Sequence, residues 1–108
     1  MGDFLLELNR SLTHKFCRIS PSETSFIIKI KSNIFIIELV SNEEDLDLDM
    51  IRLHKNFTFV NRAYLTLVVF GNPIAEYFFI RNGIQSDIVE DNLTGIITRI
   101  QKWINMKK

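Results

Sequence analysis

Two runs rich in β-branched and aromatic residues flank Ser32-Asn33 in residues 24 to 40, TSFIIKIKSNIFIIELV, the spacing of a β-hairpin with a two-residue turn. Such a turn sets Lys31 opposite Ile34, Lys29 opposite Ile36 and Ile27 opposite Glu38 on one side. The other side pairs Ile30 with Phe35, Ile28 with Ile37 and Phe26 with Leu39. That side is wholly apolar and is the expected core face. The first side mixes isoleucines with charges, which suits a surface wet at its edges and covered at its centre. The cover is either a second subunit, a partner chain or an element of this same chain. Ile27, Lys29, Lys31, Ile34, Ile36 and Glu38 are therefore the candidate partner-binding residues.

The rest of the pattern alternates between helical and extended spacing. Asp3 caps a helix to about Phe16 with Leu5, Leu8 and Leu12 on one face, and Ser20-Pro21-Ser22 ends it. After the hairpin, Leu46, Leu48 and Met50 alternate with Asp47, Asp49 and Ile51 as in a half-buried third strand; a helix from near Asn42 is the competing reading. Residues 54 to 62 have no clear period, with Phe57 and Phe59 expected to dip into the core. Residues 63 to 70, AYLTLVVF, read as a strand with Leu65, Leu67 and Val69 on one face. Gly71-Asn72-Pro73 turns the chain, and residues 74 to 80 return beside it, Ala75, Tyr77 and Phe79 against Val69, Leu67 and Leu65. Asn72 and Pro73 would equally open a helix. Asn82-Gly83 breaks the chain again, and Ser86 or Asp87 caps a closing helix whose stripe is Val89, Leu93, Ile96, Ile97, Ile100, Trp103 and Ile104.

These elements make one α+β domain over the 108 residues: an antiparallel sheet of about five strands flanked by an N-terminal and a C-terminal helix. Thirteen basic residues balance thirteen acidic ones, so no global field favours nucleic acid or an anionic membrane. The single cysteine, Cys17, allows no intramolecular disulfide, and no Cys/His cluster suits zinc. No signal peptide, myristoylation motif or membrane span is legible, and a cytoplasmic location is expected.

Chemistry is sparse. Asp45, Asp47 and Asp49 have the alternation of a calcium loop, but Met50 stands where its glycine belongs and Asn56 where its glutamate belongs. A strand-borne nuclease carboxylate at Glu38 lacks its lysine, since Val40 takes that position. His14 lies close to Cys17, a spacing that more often marks a small buried thiol than a nucleophile. There is no GxSxG elbow and no phosphate-binding glycine loop. The aromatics at 64, 77, 78 and 79 lack the interleaved basic residues of a nucleic-acid platform and read as core. No catalytic residue, metal or cofactor is assigned.

The opening FLLELNRSL, the meander FIIKIK, IFIIEL, LDLDMIRL and the closing block LTLVVFGNPIAEYFFIRNGIQSDIVEDNLTGIITRIQKW resemble the small class I type III secretion chaperones, the family of the Tir chaperone. The likeness covers most of the chain as a pattern of elements. It implies a cytoplasmic homodimer without enzymatic activity, around which an extended segment of a secreted client winds by hydrophobic pockets and added strand pairing. The family's middle helix would have residues 54 to 62 to occupy. A second expectation, from size and lack of chemistry, is an inhibitor or immunity protein that blocks a toxin or nuclease. Its candidate surface is the acidic run 43 to 49.

Overall fold

The computed structural model describes residue 10, residues 25–71 and residues 75–107. Of the helix expected over residues 3 to 16 only Arg10 is described, and it is helical. The remainder of that helix, His14, Cys17, the Ser20-Pro21-Ser22 break and Asn72-Pro73 lie outside the described residues.

The described chain is α+β. Strand β1 (Ser25–Ile30) and strand β2 (Asn33–Val40) form the early hairpin, and a short 3-10 turn at Glu43–Asp45 leads into helix α1 (Leu48–Val60). Then come β3 (Tyr64–Phe70), β4 (Glu76–Arg81), the short β5 (Ile84–Gln85) and β6 (Val89–Glu90), and helix α2 (Leu93–Lys107). The strands make one six-stranded sheet in the order β1-β2-β3-β4-β5, with β6 also on β4. All pairs are antiparallel except β2 with β3.

That parallel pair corrects the expected meander. Residues 46 to 51 are not a third strand. Asp47 caps α1, its side chain accepting from the Asp49 amide at 2.9 Å, and the helix carries the chain across the sheet so that β3 runs alongside β2. Residues 54 to 60, left without a period above, continue the same helix.

The hairpin register is also corrected. The loop is Lys31-Ser32 rather than Ser32-Asn33, so Ile27 faces Ile36, Lys29 faces Ile34 and Ser25 faces Glu38. This register sets apolar against apolar at Ile27 and lets the Ser25 hydroxyl donate to Glu38, where the expected one would have set Ile27 against a carboxylate. Lys31 takes the positive φ of the turn, 56°. In the second hairpin Tyr77 pairs with Val69 and Phe79 with Leu67, one pair away from expectation, because the connection is longer than three residues. Residues 76 to 81 are a strand, not a helix.

The sheet has a core on each face. Phe26, Ile28, Phe35, Ile37, Leu39, Leu65, Leu67, Val69 and Tyr77 pack with Ile96, Ile100 and Ile104 of α2. On the opposite face Val68, Phe70, Phe78 and Ile80 pack with Ile51 of α1. Helix α2 begins later than expected: Val89 and Glu90 pair with β4, and the Gly95 amide donates to the Asn92 side chain at 2.8 Å.

Candidate functional site

The candidate partner-binding residues lie on the α1 face of the sheet or at the tip of its hairpin. Ile27 and Ile34 are half-buried, Lys29 and Lys31 are exposed, and Ile36 is buried. Lys31 stands in the turn rather than on the strand face. Glu38, half-buried, is held within the protein.

Its carboxylate anchors a polar network inside an otherwise apolar layer. The Ser25 hydroxyl donates to Oε2, and His54 Nε2 lies 3.3 Å from Oε1. A carboxylate accepts only, so Nε2 carries the shared hydrogen, and Nδ1 lies 3.2 Å from the Thr66 hydroxyl. One turn on, the Thr58 hydroxyl donates to the His54 carbonyl at 2.9 Å and accepts from the Gly83 amide at 3.0 Å. Ser25, His54, Thr58 and Thr66 are all buried, and among the described residues no buried side-chain nitrogen or oxygen lacks a partner. Hydroxyl, imidazole and carboxylate follow one another as in a nucleophile relay. Thr66 is 0% exposed, however, so no substrate carbonyl can approach it. The network does structural work: it ties α1 to β2, β3 and the β4–β5 turn.

Sequence reasoning missed this network. Its signal is one polar residue inside each apolar run, Glu38 in IFIIELV and Thr66 in YLTLVVF, with His54 in the segment that lacked a period.

What α1 leaves open is more telling. It packs on β3, β4 and β5. Phe59, on one flank, sits against Gly83 in the β4–β5 turn. At about 100° per residue, Leu53 and Val60 fall on the side away from the sheet and Phe57 on the flank opposite Phe59, where its ring meets that of Tyr64 at 6.3 Å. Leu53, Phe57 and Val60 are 50%, 45% and 82% exposed. On the same face of the sheet lie the half-buried Ile34 and Ile27, and beyond them the side of β1 that faces away from β2. The two-residue loop makes Ile30–Asn33 a hydrogen-bonded pair, so the amides and carbonyls of Ser25, Ile27 and Lys29 point away from β2. The Ile34 amide, donating to the Ala63 carbonyl at 2.8 Å, fixes the same alternation from the β3 side. Among the described residues β1 pairs with β2 alone.

The acidic run is exposed at Glu43, Glu44, Asp45, Asp47 and Asp49, and among the described residues its one ion pair is Asp49 with Arg52 at 3.4 Å. No group of three or more His, Cys, Asp or Glu among the described residues is placed to hold a metal ion, and no described helix is long and apolar enough to cross a membrane. Comparison with models of known families, with curated proteins and with solved structures finds no match to this chain.

Proposed function

We propose that this chain is a non-catalytic protein-binding module that receives an extended segment of a partner protein along β1. The observation that carries the reading is the β1 edge: the backbone groups of Ser25, Ile27 and Lys29 point away from β2 and pair with no described strand, on a face of the sheet where Ile27 and Ile34 are half-buried and Leu53, Phe57 and Val60 of α1 are exposed. An added strand would satisfy the backbone groups while its side chains met the apolar ones, the mode called β-augmentation. A secretion-type chaperone is the form of this function that the resemblance in sequence pattern implies. As such it acts in the cytoplasm as a homodimer and holds its client's segment extended until export.

The test is co-expression with the product of each adjoining gene, read by size-exclusion chromatography with light scattering. Lys29→Pro removes an outward amide and no bond to β2, so the fold tolerates it. It weakens the complex about tenfold or more, because one strand bond is lost and the ring blocks its neighbours. A complex of unchanged affinity would count against the edge.

An inhibitor or immunity protein is the second reading, favoured by the exposed acidic run beside the α1 cap. Replacing Glu43, Glu44, Asp45 and Asp47 with serine, which keeps a capping residue at position 47, abolishes binding on that reading and leaves it intact on the first.

A further inference from the structure

A pocket of about 100 Å³ opens on the opposite, α2 side, at the end of the sheet where α2 finishes. Its walls are apolar: Ile28, Ile30, Phe35 and Trp103. Trp103 is fixed by the rings of Phe35 at 5.3 Å and Phe79 at 5.8 Å. At the lining stand Arg62 and Arg81, both exposed, and, among the described residues, no carboxylate. The Arg81 guanidinium rests over the Phe79 ring, 5.8 Å from its centroid, and neither arginine has an ion-pair partner among the described residues. Two full positive charges outweigh the roughly half unit of negative charge at the end of α2. An apolar cavity of roughly 150 Å³ holds a benzene ring; this smaller pocket, open at its mouth, suits one ring or one branched aliphatic group with its charge outside.

We propose that this pocket binds a carboxylate carried on a single ring-sized or branched apolar group, with Arg62 and Arg81 engaging the carboxylate and Trp103 bounding the apolar part. Arginine forks match carboxylates in geometry as well as charge. The chemistry is common to a small free carboxylic acid and to the C-terminal residue of a peptide. The pocket shares Ile28 and Ile30 of β1, and Ile34, with the region of the strand edge, but its chemistry rests on Arg62, Arg81 and Trp103 and does not depend on the function proposed there.

Trp103 is the only tryptophan, so its fluorescence reports occupancy directly. Phenylacetate titrated into the full chain gives a saturable change in emission, and the uncharged isostere phenylacetamide binds at least about tenfold more weakly. Arg62→Gln with Arg81→Gln, both at exposed positions, removes that preference while leaving the thermal midpoint in place. A peptide ending in leucine with a free carboxylate, compared with its C-terminal amide, identifies the source. A response to the free peptide points to a protein terminus, and a response to phenylacetate alone points to a small acid. No saturable response to either probe, equal binding of the amide, or unchanged selectivity in the double variant overturns the proposal.

Discussion

Glu38, His54 and Thr66 show how single polar residues decide where a helix sits. Each interrupts an apolar layer, and each is stabilising only while its partners are present, since a buried group left alone loses its hydration without recompense. Thr66→Val preserves shape but strips His54 Nδ1 of its hydroxyl partner. It lowers stability by about 1–3 kcal/mol in urea unfolding, with the slope unchanged. A second residue-scale prediction concerns Gly83, at φ 78° in the Asn82-Gly83 turn, where an added Cβ would lie 2.9 Å from that of Phe59. Gly83→Ala costs more than about 1 kcal/mol by the same measurement, from the positive φ and the crowding together. The Asn-Gly pair was legible as a break in the sequence; that Gly83 also donates to Thr58 was not, because 25 residues separate them.

At the scale of elements, the faces of the early hairpin were legible although its register was not. Moving the turn by one residue shifts every partner by two positions, and side chains alternate with period two, so each residue kept its side of the sheet. Helix α1 was hidden for a different reason. Its buried stripe runs through Ile51, His54 and Thr58, mostly polar, while Leu53, Phe57, Phe59 and Val60 face outward. A reading that follows apolar periodicity therefore looks at the wrong side of it. The inversion gives a paired prediction. Ile51→Ala opens the core and destabilises by about 2–4 kcal/mol. Leu53→Ser with Phe57→Ser changes stability by about 1 kcal/mol or less, yet weakens partner binding.

For the whole molecule, the sheet divides the labour. One face is closed by α2 over a long apolar core; on the other α1 packs mainly on β3 to β5 and reaches β2 through His54 and Glu38, and β1 with its neighbouring isoleucines lies at the margin. The candidate site was partly legible: the sequence picked out Ile27, Lys29 and Ile34, which lie on or next to β1, but placed Glu38 and Ile36 beside them as if equally available. Glu38 is held by His54 of α1, a contact no local pattern announces, and Ile36 is buried. The most direct test is amide hydrogen exchange of the chain alone and in complex with its partner. The Ile27 and Lys29 amides, exchanging fast in the free chain, become strongly protected in the complex. Protection confined to residues 43 to 49, with β1 unchanged, would contradict strand addition and transfer the binding surface to the acidic turn.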